Sequence, residues 1–252
     1  MMMTNNTVTA TVLCALTTCC ACVNTGQERV DVSLSAVGSD VAGGFTVDTD
    51  WQVTLDNTQL AFGPLYLCAG SQAGALCETA RAEWTDSAVI DVLDPTVLPL
   101  GTMNALTGPV RSWMYDLGVA SLLTQQQPVL LDAANELGGN SLRMTGTATR
   151  GGDSIAFSVE LVIQQDQDTE AGVSVVRSAP SDDFDHDVVG GGETLVIAFD
   201  PRTWLSEVDF DQLCDETLGC PATAEFAPNS QAWRAIRNQL VAGQRPVFEF
   251  TP

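Results

Sequence analysis

Apolar residues recur at every second position through much of this chain, and that period sets the fold class before any other feature does. Val30, Val32, Leu34 and Ala36 alternate with polar neighbours, and Trp51, Val53 and Leu55 do the same. Successive side chains of a strand point to opposite faces, so each such run predicts a strand with one face on a core. Phe45-Thr46-Val47, Leu60–Phe62, Leu65–Cys68, Ala82–Leu93, Pro109–Gly118, Val173–Val176 and Thr194–Phe199 add further strand candidates. Ser141–Arg150 and Asp153–Gln164 flank Gly151-Gly152, the spacing of a β-hairpin. Asp56-Asn57 reads as a break, Gly63-Pro64 as a bend or bulge, and residues 96–108 as a loop around Leu100-Gly101-Thr102.

The end of the chain changes period. Asp200 followed by Pro201 is the cap and first position of a helix that the pattern carries to about Leu213. Asn229-Ser230-Gln231 opens a second helix, with Ala232, Trp233, Ile236 and Leu240 on its apolar side. Gly243 stops it, and Val247–Phe250 reads as a last strand. The sum predicts a mainly β protein: an antiparallel β-sandwich, Greek-key-like, with two short C-terminal helices. No repeat or long linker divides it, so residues 30–252 are expected to form a single domain.

Residues 1–26 hold no charged side chain, and Val8–Val23 is an apolar run of secretory length, short for a membrane span. This run contains Cys14, Cys19, Cys20 and Cys22. The surroundings of Cys22 and Cys19 resemble a bacterial lipobox, in which the cysteine becomes the lipidated first residue. The sequence therefore predicts a leader over 1–22, a polar tether over 23–29, export to the cell envelope, and lipidation at Cys22 or Cys19.

Four cysteines remain beyond the leader: Cys68, Cys77, Cys214 and Cys220. They allow three pairings, and no C-x-x-C survives to suggest a zinc site. Pairing of neighbours, Cys68 with Cys77 and Cys214 with Cys220, closes two short loops and is the expected framework.

Charge removes several functions. The formal net charge is -22, with 32 acidic residues against ten basic ones, all of them arginine. So negative a surface repels phosphate backbones, which argues against nucleic acid as a partner. Contact with a membrane is expected only through a leader or lipid anchor. Cations, neutral ligands and other envelope proteins remain as partners. Without lysine there is no Schiff-base amine, and a single histidine, His186, rules out a multi-histidine metal site within the chain.

The segments FTVDTDWQVTLDNTQLAFGPLYLC and LRMTGTATRGGDSIAFSVEL, with the closing FDPRTWLSEVDFDQL and AIRNQLVAGQRPVFEF, resemble cell-envelope lipoproteins of unknown function from myxobacteria and related bacteria. The resemblance spans most of residues 30–250, rests on diffuse patterns, and implies compartment and fold. A fainter likeness is to periplasmic copper-handling lipoproteins of the methanobactin-partner type. Their several histidines are absent here, so no ligand residue carries over.

The densest chemical cluster is Asp182, Asp183, Asp185, His186 and Asp187, followed by three glycines. Its oxygens and imidazole suit a divalent cation, Ca²⁺, Zn²⁺ or Cu²⁺, though the spacing is not that of an EF-hand; the competing reading is a solvated acidic loop. His186 has no G-x-S-x-G partner to make it a hydrolase base. Asp56, Asp116, Asp132 and Asp209 sit where turns and caps also want aspartate, so none marks a glycosidase pair. Among Trp51, Trp84, Trp113, Trp204 and Trp233, packing is the expected role, with Trp84 the best candidate for exposure. The sequence thus predicts a non-catalytic binding or structural module, with a cation binder and a carbohydrate-active enzyme as alternatives.

Overall fold

A computed structural model describes residues 26–252, apart from Ala42, 72–76, 78–79, 121–126, 166–172, Pro180 and Asp183. The leader, the lipidation candidates Cys19 and Cys22, and Asp183 of the acidic cluster lie outside the described residues.

The chain is mainly β, with several mixed sheets and a few helices. It opens with β1 (Arg29–Val37), β2 (Phe45–Thr46), β3 (Gln52–Phe62), β4 (Leu65–Cys68), β5 (Ala80–Trp84), β6 (Ala88–Asp91) and β7 (Leu98–Leu106). There follow β8 (Gly108–Val110), β9 (Ser112–Tyr115), β10 (Val119–Ala120), β11 (Val129–Leu130) and a short helix α1 (Asp132–Glu136). The hairpin β12 (Leu142–Arg150) and β13 (Asp153–Leu161) comes next, then β14 (Val176–Arg177), β15 (His186–Val188) and β16 (Thr194–Ala198). The last elements are α2 (Pro201–Leu205), a 3-10 turn (Phe210–Leu213), β17 (Thr223–Glu225), α3 (Gln231–Val241) and β18 (Val247–Thr251).

One eight-stranded sheet has the order β14-β9-β4-β5-β7-β1-β16-β18. A six-stranded one runs β17-β13-β12-β3-β2, with β6 also on β3. The expected all-antiparallel pairing is corrected at two ladders: β1 runs parallel to β16, and β13 parallel to β17. Both join strands far apart in sequence, which leaves room for the crossover that parallel strands need.

Inward faces of both sheets feed a single large apolar cluster. At its centre Phe62 meets Trp84, Tyr115 and Phe199, with ring centroids 6.1, 5.1 and 5.4 Å away. A second aromatic group joins Trp51 to Phe210 and Phe210 to Phe157 and Phe226. Each fully buried side chain of this size is worth roughly 1.5–3 kcal/mol over its exposed state. Trp84 is therefore not exposed: period two along β5 turns it inward with Ala82 and leaves Glu83 outside.

Local chemistry accounts for most boundaries. Gly151-Gly152 turns β12 into β13 with Arg150 opposite Asp153. The Asp200 carboxylate accepts from the Arg202 amide and caps α2, while the Ser230 hydroxyl accepts from Trp233 and caps α3. The first helix is shorter than its pattern predicts: it stops at Leu205, and a separate turn capped by Asp209 carries Phe210 into the core. Asp56 does not break β3; the register against β12 shifts between Asn57 and Leu55, so Asp56 is taken up in a bulge. The expected loop at 96–108 is instead mostly β7, paired to β1.

The disulfides are Cys68–Cys77 and Cys214–Cys220. Such bonds persist in oxidising compartments and suggest a protein that lies outside the cytoplasm. No helix among the described residues is long and apolar enough to cross a membrane.

Candidate functional site

Strands β1, β7 and β5 lie side by side, and their register arranges the outer face in rows. Arg29 pairs with Leu106 and Asp31 with Asn104 across β1 and β7. Glu83 pairs with Asn104 and Ala82 with Ala105 across β5 and β7, which puts Arg81 beside Leu106. One row is therefore Arg29, Leu106, Arg81; the next is Asp31, Asn104, Glu83. Val30, Ala105 and Ala82, the residues between, turn toward the core. Two residues of strand separate the rows, about 7 Å.

These rows line an open cleft of about 690 Å³, within the size range of small-molecule sites. Ala80, Arg81 and Ala82 form one side of it. Arg81 is only 8% exposed, the sole arginine buried to that degree among the described residues. Its Nε donates to the Pro109 carbonyl at 3.1 Å, while Nη1 is buried with no hydrogen-bond partner. Gly108 makes this packing feasible: it takes φ 125°, and a Cβ there would stand 3.3 Å from the Arg81 Cζ. A guanidinium is always charged, and burying it with donors unmet is costly. Among the described residues, none of Arg29, Asp31, Arg81 and Glu83 forms an ion pair.

The acidic cluster is held differently. Strand β15 is zipped to β8, with His186 opposite Val110. Arg111 reaches from the end of β8 and pairs with both Asp185 and Asp187, the latter at 3.2 Å. His186 Nε2 lies 3.0 Å from Glu193 Oε2, and its ring stacks on Phe250 at 3.7 Å. Burial works to raise the Glu193 carboxyl, but bonds from His186 and from the Val189 and Gly190 amides outweigh it and leave it below its ordinary range. Asp182 turns away to accept from the Ala179 amide at 2.6 Å and faces Arg245 at 3.8 Å. The four described members of the predicted set thus go to different partners, Asp185 and Asp187 to Arg111, His186 to Glu193 and Asp182 to Ala179 and Arg245, and no group of three His, Cys, Asp or Glu able to hold a metal occurs among the described residues.

Asp116, read from sequence as an ordinary turn residue, is 5% exposed. Its Oδ1 accepts from the Val175 amide at 2.7 Å, and the Ser174 side chain also bonds it. Burial pushes its carboxyl up to about 7, against the opposing effect of those bonds.

Arg81 carries no motif, and the sequence alone does not single it out. The one available signal is an arginine on the polar face of A-R-A-E-W, a strand that reads weakly. Comparison with protein-family models, curated proteins and solved structures gives no match to this chain.

Proposed function

We propose that this is an exported envelope lipoprotein whose two large sheets form a β-sandwich with Greek-key-like connections, and whose outer-face cleft binds a small polar ligand without transforming it. The observation that carries this reading is the cleft of about 690 Å³ itself, whose two register rows set Arg29 and Arg81 beside Asp31, Asn104 and Glu83. Nothing that lines the cleft, among the described residues, has a hydroxyl, thiol or imidazole, which favours binding over covalent chemistry. Export is supported by the two disulfides and by the apolar leader, and lipidation by the lipobox-like setting of Cys22 and Cys19. The large apolar cluster fed by both sheets supports the sandwich.

The test is a thermal-shift screen of small polar compounds on the mature protein and on Asn104→Trp, which fills the cleft from an exposed position. At a hundredfold excess over Kd a ligand adds about 2.7 kcal/mol. For a chain of this size that raises Tm by roughly 5–10 °C. At least one compound should shift the wild type and leave Asn104→Trp unmoved. If every active compound shifts both proteins equally, or none shifts either, the cleft is not a binding site. Intact mass of the protein from native membranes tests the rest: a diacyl or triacyl increment on Cys22 or Cys19 is expected, and an uncleaved, unmodified chain would exclude lipidation.

A further inference from the structure

We infer that the molecule has a second binding site, over His186, for a small uncharged compound with an apolar body and one N–H or O–H donor, the donor received by the His186 imidazole. This site is separate from the cleft on β1, β7 and β5 and depends on no property of it. It is an open cleft of about 490 Å³ between the end of β18 and the turn that joins β15 to β16, within the size range of small-molecule sites. Val189, Phe250 and Pro252 give it apolar walls, and His186 and Glu193 are its polar pair. Gly190, Gly191 and Gly192 form the rim, and a Cβ on any of them would meet no atom within 4 Å. The rim is therefore open.

The imidazole is held in one orientation. One face stacks on Phe250, with centroids 3.7 Å apart and planes 4° from parallel, and Nε2 lies 3.0 Å from Glu193 Oε2. The Glu193 side chain is 12% exposed. Burial opposes its charge, yet the bonds from His186 and from the Val189 and Gly190 amides hold its carboxyl below the ordinary range. An ionised carboxylate can only accept, so Nε2 carries the proton, and in the neutral ring Nδ1 is left as an acceptor. Nδ1 has no hydrogen-bond partner among the described residues, and the partly exposed ring lines the cleft. Charge then selects the ligand. An anion is opposed by Glu193 and by the net charge of -22. A cation finds Glu193, the one carboxylate in the lining, already occupied by its own bonds. A neutral donor meets the open acceptor, and its apolar body takes Val189, 79% exposed, out of water.

His186 is the only histidine in the chain, so the NMR signals of its ring report this site alone. Two matched pairs of probes test the donor on the mature protein: indole with 1-methylindole, and p-cresol with 4-methylanisole. Each pair keeps the body and deletes the N–H or O–H. Benzoate and benzylammonium are the charged controls. At least one donor compound should move the His186 signals saturably and, by calorimetry, bind tenfold or more tighter than its methylated partner and both charged controls. Gly191→Trp fills the cleft from a position with open space and no left-handed φ, and should abolish that binding. Asn104→Trp, in the other cleft, should leave it unchanged. His186→Phe keeps a ring against Phe250 but removes Nδ1, so the donor and methylated compounds should then bind alike, with an unchanged circular dichroism spectrum as the check on folding. Equal affinities within both pairs in the wild type, a preference that survives His186→Phe, or binding indifferent to Gly191→Trp overturns the assignment. So does a set of probes none of which moves the His186 signals. Signals that move with protein concentration alone would put a second copy of the chain on this patch and overturn it too. Failure of the cleft on β1, β7 and β5 as a binding site shows instead in the Asn104→Trp comparison and leaves this site standing.

Discussion

Replacing Asp116 with asparagine should stabilise the protein at alkaline pH and leave it unchanged in acid. The carboxyl is 5% exposed, and burial raises it from an ordinary value of 3.8 to about 7. A proton is therefore held more tightly by the folded chain than by the unfolded one. Below pH 4 the group is neutral in both states and contributes nothing to the difference. As pH climbs from about 4 to about 7 the unfolded chain ionises first, and the folded state loses stability relative to acid. Above pH 7 the loss is complete. A displacement of about three pH units corresponds to roughly 4 kcal/mol at most. Asparagine has nearly the same shape and never ionises, and its Oδ1 can still accept from the Val175 amide at 2.7 Å. Urea denaturation of wild type and Asp116→Asn at pH 4 and pH 8 measures the effect directly. Other carboxylates of this acidic chain contribute equally to both proteins and cancel in the comparison. The variant should match wild type at pH 4 and exceed it by about 2–4 kcal/mol at pH 8. An equal difference at both pH values, or a variant weaker than wild type at pH 8, refutes the assignment of a buried, proton-binding carboxyl.

Other substitutions probe the packing. Gly146→Ala would place a Cβ 2.5 Å from the Thr54 carbonyl and 2.9 Å from Phe157 Cζ; it should cost about 1–3 kcal/mol by urea denaturation, and a midpoint equal to wild type would contradict that contact. Arg150 pairs with Asp211 and lies 4.7 Å over the Trp51 ring, tying the β12–β13 hairpin to the 3-10 turn. Arg150→Ala should speed hydrogen exchange at Phe210–Leu213 while leaving global unfolding nearly unchanged, and unaltered exchange there would show that the tie is idle. Cys214 and Cys220 lie six positions apart; Cys214→Ser with Cys220→Ser should lower stability by roughly 2 kcal/mol on loop-closure grounds, a difference that disappears when both proteins are measured fully reduced.

Where local chemistry decides structure, the sequence was sufficient. Gly151-Gly152 between two alternating runs yields one hairpin, and Asp200-Pro201 and Ser230 start helices at the positions they mark. Where neighbours far along the chain decide, it was not. Strand β7 carries Pro99 and Gly101 and buries only Met103 and Ala105, so its period is faint. It is a strand because β1 supplies a ladder on one side and β5 on the other, with a register shift near Gly101 that absorbs one residue. Asp56 likewise looks like a terminator until β12 offers a partner that can accommodate a bulge. Parallel pairing of β1 with β16 unites residues about 160 apart, and nothing in either run announces the other.

The same reasoning explains why the two candidate sites differ in legibility. Asp182–Asp187 is conspicuous because its charges are adjacent in sequence, yet adjacency in a strand sends alternate side chains to opposite sides. Around β15 this sends Asp185 and Asp187 to Arg111 and His186 to Glu193, so a dense string becomes a set of separate contacts. The cleft inverts that relation. Arg29, Asp31, Arg81, Glu83 and Asn104 come from three strands, and each is unremarkable in its own run. Antiparallel register alone puts them in two rows of opposite charge. A chain with three times as many acids as bases can pair every arginine it has, and it pairs Arg111, Arg143, Arg150, Arg202 and Arg245. Arg81, the most buried of them, meets no carboxylate among the described residues; its Nε goes to the Pro109 carbonyl and its guanidinium packs beside Gly108, a position set by three strands that no one of them announces.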